Sequence, residues 1–214
     1  MRKTFDAELQ ELSAEMIDMA ALAEDAIDLV TASLAAPDDR QAREAVAMTQ
    51  NMDRTEREIE NRCLRLLLQQ QPVARDLRTI SAALKMVTDL QRIGGQCANI
   101  AEISLLLNKG ESVPDHIREM SRKAGSMVKR AIFAYANREE AAAREVIGLD
   151  DAVDALFRDV KGELVELIRS DHENADRAID LIIIAKYLER IADHAANIAQ
   201  WAIYCVTGNL VGSD

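Results

Sequence analysis

Two pairs of acidic residues stand four apart in the second half of the chain, Asp150 with Asp154 and Glu189 with Asp193. On a helix that spacing stacks side chains one above the other, so each pair presents two carboxylates to the same neighbour. If the two helices run antiparallel, all four carboxylates converge. So much negative charge calls for a cation, and an all-oxygen donor set suits a hard ion such as Fe(III), Mn, Mg or Ca in preference to Zn. Asn197 lies one further turn along the same helix. His194, next to Asp193, points about 100° away around the helix and is not expected to ligate. The alternative is a solvated face: the chain has 37 acidic residues, and Asp150 with Asp151 would also serve as turn residues.

Other chemistries find no support. A ferritin-like di-iron centre needs a Glu three residues before a His, and the residues three before His116, His172 and His194 are Val113, Arg169 and Ile191. No H-E-x-x-H, G-x-x-x-x-G-K-[ST] or G-x-G-x-x-G motif occurs, and no nucleophile–base pair is evident, so no enzyme is expected. Gly94-Gly95 reads as a close packing point inside a helix. Cys63, Cys97 and Cys205 are widely spaced and odd in number, as reduced thiols would be. A net charge of -11 argues against a nucleic-acid binder. Arg54, Arg57, Arg62 and Arg65 among Glu56, Glu58 and Glu60 read as a solvated helix laced with ion pairs, and Met16, Met19, Met48 and Met52 as core.

These residues need helices to hold them. The 214 residues are 49% hydrophobic but only 3% aromatic, with 8 Gly and 3 Pro, the profile of an all-α protein. Breaks at AAPDD (35–39), QQP (70–72), NKGESVPD (108–115), ANRE (136–139) and SDHEN (170–174) delimit six long helical segments. Leu77, Ile80, Leu84, Val87, Leu90, Ile93, Cys97 and Ile100 form one apolar stripe, and Leu181, Ile184, Leu188, Ile191, Ala195 and Ile198 another. Pro72 suits a first helical turn, and Ser170 with Glu173 has capping-box spacing. The amino-terminal residues lack the apolar core of a signal peptide, and the run LIIIA at 181–185 is too short to span a bilayer, so a cytoplasmic protein without membrane insertion is expected.

The segments repeat. DLQRIGGQCANIAE (89–102) and YLERIADHAANIAQ (187–200) share seven of fourteen residues. The preceding helices align with Asp53 on Asp154 and Leu66 on Leu167. The order helix-helix-helix is therefore written twice, predicting one three-helix bundle over 1–109, a second over 110–208 and a tail over 209–214, the two bundles packed together.

With QQQPVARDLRTISAALK (69–85), the paired L-[EQ]-R-I segments and DDAVD (150–154), the chain resembles the PhoU family over roughly residues 5 to 207. The resemblance implies two tandem three-helix bundles that bind metal clusters through E/D-x-x-x-D motifs, one pair of motifs per bundle. Carried onto this chain, the second bundle has both: Asp150 with Asp154, and Glu189 with Asp193. In the first bundle the matching positions are Thr49 with Asp53 and Gln91 with Gly95, leaving Asp53 as a weak candidate. The expected cofactor is thus a hard multivalent ion or cluster, Fe or Mn ahead of Mg or Ca, in the second bundle only. The resemblance also implies a non-catalytic adaptor that contacts the ATPase subunit of a phosphate transporter and a sensor histidine kinase, keeps the phosphate-starvation response off, restrains phosphate uptake and forms a homodimer. A metal-dependent hydrolase or metal-handling protein is the alternative.

Overall fold

The computed structural model describes residues 2–36, 38–69, 72–107, 113–170 and 172–210, and the described residues are almost entirely helical. The chain runs α1 (Arg2–Ala35), α2 (Asp39–Gln69), α3 (Ala74–Leu106), α4 (Asp115–Asn137), α5 (Glu140–Ile147), α6 (Asp150–Ser170), a single 3-10 turn (His172–Asn174) and α7 (Ala175–Thr207). The expected boundary at 109/110, the break residues 37, 70, 71, 108–112 and 171, and residues 211–214 of the tail lie outside the described residues.

Both predicted stripes become core. Ile80, Val87, Leu90, Ile93, Cys97 and Ile100 of α3 are buried, as are all six stripe residues of α7. Leu77 departs from its stripe and is 44% exposed. Helices α1, α2 and α3 pack on one another, and α4, α5 and α6 pack around α7. The two groups join through α3 against α7 and α1 against α4, so one continuous apolar core runs through the molecule. Both contacts are antiparallel: Asp28 and Thr31 of α1 meet Lys129 and Ser121 of α4. Asp89 of α3 meets His194 of α7, while Arg78 near the start of α3 meets Gly208 at the end of α7.

At Gly94 of α3 the space a Cβ would take is filled by the buried Met52 side chain of α2, whose sulfur would lie 2.3 Å away; at Gly95 a Cβ would meet nothing within 4 Å. Met16, Met19 and Met52 are buried in the core and Met48 packs against it. Cys63 and Cys97 are buried and Cys205 half-buried, all free; burial pushes the Cys63 thiol up to about 12 and Cys205 up to about 11. Arg54 pairs with Glu58 along α2 as read, but Arg62 reaches across to Glu15 at 2.6 Å and Glu11 at 2.7 Å on α1. That cross-helix pairing needs the antiparallel neighbour, which local spacing does not reveal.

Three local expectations are corrected. The fifth segment is two helices, because the chain interrupts its helical bonding at Gly148 and Leu149 and restarts at Asp150; the Leu149 N–H donates to Val146 O at 3.0 Å in a tight turn. Ser170 does not cap the last helix: it ends α6, its hydroxyl donates to Leu167 O at 3.0 Å, and α7 begins after Asn174. Pro72 precedes Val73, the N-cap of α3, so it lies outside the first turn.

Candidate metal centre

The interruption at Gly148 places Asp150 as the first residue of α6, with Asp154 a turn later. There the free N–H groups of the helix start favour a carboxylate. Val153, Val160 and Leu164 anchor α6 in the core, while Leu188, Ile191, Ala192 and Ala195 anchor α7. With those faces committed, Asp150, Asp154, Glu189 and Asp193 are left along the α6–α7 seam.

The charges there are mutually uncomfortable. The Asp150 carboxyl is raised to about 6, first by burial and then by Asp193, Asp154, Asp151 and Glu189. Its Oδ1 is buried with no hydrogen-bond partner among the described residues. Asp193 is also raised, by burial and then by Glu189 and Asp154, against the lowering influence of Lys186 and His194. All four predicted residues therefore share one electrostatic neighbourhood. Sequence reasoning missed Lys186, which forms an ion pair with Glu189 and holds its ammonium 5.3 Å from the Phe157 ring centroid. Its position three residues before Glu189 was the available signal.

As the side chains stand, no three His, Cys, Asp or Glu among the described residues are grouped to hold one ion. What fits a hard cation is the donor set: carboxylates alone, one of them with an unpartnered buried oxygen. Joint ligation requires the side chains to turn toward a common point and Glu189 to leave Lys186.

The first bundle takes a different course. Gln91 donates to Asp53 Oδ1 at 2.8 Å, and the Thr49 hydroxyl is buried without a partner among the described residues. Asp53 is thus engaged by an amide, and Gly95 offers no donor side chain. Glu56, one turn on from Asp53, has its carboxyl raised by burial and then by Glu60 and Asp53.

His194 does turn away from the acids, toward the other bundle: Nδ1 lies 2.9 Å from Asp89 Oδ1, both side chains being nearly buried. Asn197 belongs with it. Its amide points to Asp89 at 3.5 Å, so it extends the contact between bundles and not the acidic seam.

The PhoU domain model matches residues 16–104 and 117–202, once in each repeat. A phosphate-specific transport system accessory protein PhoU homolog of Clostridium acetobutylicum is 36% identical over 214 residues, covering 98% of this chain and 97% of its own. The homolog of Aquifex aeolicus is 36% identical over 206 residues, covering 95% of this chain and 93% of its own. The crystal structure of PhoU from Pseudomonas aeruginosa superimposes with a TM-score of 0.92 at 31% identity, over 96% of this chain and all (100%) of that one. With the repeated helices, the full-length relatives and the shared fold in agreement, the chain belongs to the PhoU family.

Proposed function

We propose that this protein is an accessory regulator of phosphate transport, a non-catalytic adaptor between the ATPase subunit of a phosphate transporter and a sensor histidine kinase. On this reading it keeps the phosphate-starvation response off and restrains uptake, working in the cytoplasm as a homodimer of two-bundle chains divided near 109/110. The observation that carries the reading is similarity along nearly the whole chain to proteins named as accessories of phosphate-specific transport. Among the described residues no helix is long and apolar enough to cross a membrane, consistent with contact through protein surfaces.

Asp150, Asp154, Glu189 and Asp193 would hold a hard multivalent ion or cluster, Fe or Mn ahead of Mg or Ca. Such an ion supplies counter-charge. The chain's own contribution is to keep α6 and α7 in register, so that four carboxylates meet at one seam, and to present Lys186 as their counter-charge when no ion is held. Asp53, bonded to Gln91, stays outside this set.

Deletion of the gene tests the adaptor role: expression of the phosphate-starvation response in high phosphate should rise to the starved level, and unchanged repression sinks the proposal. Elemental analysis of protein purified without chelator tests the metal, with Asp193→Asn expected to lose it. Phosphoester hydrolysis abolished by the same substitution would replace the adaptor with an enzyme.

A further inference from the structure

A second polar site lies at the junction of the two repeats, away from the acidic seam. A cavity of about 180 Å³ opens where α1, α3, α4 and α7 meet, with Ser13, Thr79, Tyr135, Arg138 and Cys205 in its lining and no carboxylate among the described lining residues. In a chain of net charge -11 an acid-free cavity beside cationic groups is unexpected.

Arg138 occupies a costly place. It is the left-handed residue that ends α4, at φ 56 and ψ 41, with its N–H on Tyr135 O and the next N–H, of Glu139, on Ala134 O. Helices usually put glycine there, because a Cβ in that region is strained. The equivalent place at the end of α7 is indeed Gly208, at φ 81. Arg138 lines the cavity, and none of the ion pairs among the described residues involves it.

A second guanidinium is close by. Arg78, beside Thr79, lies against Gly208, where a Cβ would come within 2.3 Å of one of its terminal nitrogens, and both Arg78 and Arg138 act electrostatically on Cys205. The Nε of Arg78 is buried with no hydrogen-bond partner among the described residues. Burial keeps Tyr135 and Cys205 neutral, so neither neutralises the arginines and both remain donors. Ser13 and Thr79 spend their protons on Leu9 O and Arg75 O.

From Arg78 and Arg138, neither of them ion-paired among the described residues, around this cavity we infer a binding site for a small free tetrahedral oxyanion, phosphate or sulfate, at the junction of the repeats. Two guanidiniums without acidic partners among the described residues offer charge-assisted, fork-shaped donation, the chemistry that recognises such ions. The carboxyl-terminal ends of α4 and α7 nearby carry partial negative charge, which the two arginines offset before any ligand arrives. The volume suits a free ion; nucleotides and lipid headgroups with their attachments are too large. The inference needs only this cavity and stands whether or not the regulatory reading does.

Calorimetric titration of the full chain, first freed of metal by chelator, tests it with inorganic phosphate and sodium sulfate against sodium chloride at matched ionic strength. Saturable binding of phosphate, with or without sulfate, is expected, weakened at least tenfold by Arg138→Gly and by Arg78→Gln. Arg138→Gly is the decisive variant, since glycine is at home at this φ and its melting temperature should not fall. Absence of saturable binding, an equal response to chloride, or unchanged affinity in the melting-competent Arg138→Gly protein would each overturn the site.

Discussion

Gln91 of α3 donates to Asp53 of α2 at 2.8 Å, at positions where the second repeat places Glu189 and Asp154. One repeat holds its seam with an amide–carboxylate bond; in the other Lys186 takes Glu189, while Asp150, Asp154 and Asp193 repel one another along the seam.

Gln91→Glu should remove that donor and set a carboxylate against Asp53, with Glu56 a turn away. We expect a loss of about 1–2 kcal/mol at pH 7, read from urea midpoints in chelator. An unshifted midpoint would mean that the bond contributes nothing to stability.

Supplying the absent carboxylates should give the first bundle an ion site. Thr49→Asp, Gln91→Glu and Gly95→Asp together supply the missing carboxylates, and Gly95 has room because a Cβ there meets nothing within 4 Å. Metal bound per chain, by elemental analysis, should exceed that of the native protein. Equal content would show that the carboxylates alone do not define the site.

Asp150 sets a pH dependence for the metal-free protein. Its folded pKa is raised to about 6 from an ordinary 3.8, so the unfolded chain gives up this proton more readily. Between those values stability therefore falls as pH rises; below both the penalty is absent, and above pH 6 it is complete. After discounting for solvent screening the effect is about 1 kcal/mol. Asp150→Asn should raise the melting temperature at pH 7 in chelator and flatten this dependence. A melting temperature that the variant lowers would contradict the repulsion.

The adjacent glycines should respond oppositely. Gly94→Ala drives a Cβ into the buried Met52 side chain and should cost about 1–3 kcal/mol. Gly95→Ala, with free space and better helix propensity, should be neutral or stabilise by up to about 1 kcal/mol. Thermal denaturation of the two variants side by side decides it, and equal effects would refute the packing argument.

The contact between bundles can be measured through Asp89 and His194, whose side chains meet at 2.9 Å with 12% and 13% exposure. A double-mutant cycle with Asp89→Ala and His194→Ala should show about 1 kcal/mol of coupling in urea unfolding at pH 7. Additive losses would indicate that the pair does not link the bundles energetically.

Helix content, the apolar stripes and the repeat were legible because each is written in local periodicity: a stripe every three or four residues fixes which helix face is buried. The four acids of the second repeat were legible for the same reason, since spacing alone stacks Asp150 on Asp154 and Glu189 on Asp193. The interruption at Gly148 was not, because a single glycine in an otherwise helical segment does not announce that bonding stops there. Ser170 mimicked a cap because its spacing to Glu173 ignores which helix the serine ends.

By itself the sequence determined the faces: which residues each helix buries, and which acids stand together on its remaining edge. Only the tertiary structure decided what those edges meet. Asn197 turns to Asp89 and away from the acids, Lys186 takes Glu189, Arg62 crosses to α1, and Arg78 and Arg138, 60 residues apart in the chain, come within electrostatic reach of the same thiol, Cys205. Helical period constrains neighbours within about a turn or two, whereas partners across a seam depend on the register of antiparallel helices, which the packing of whole apolar faces sets.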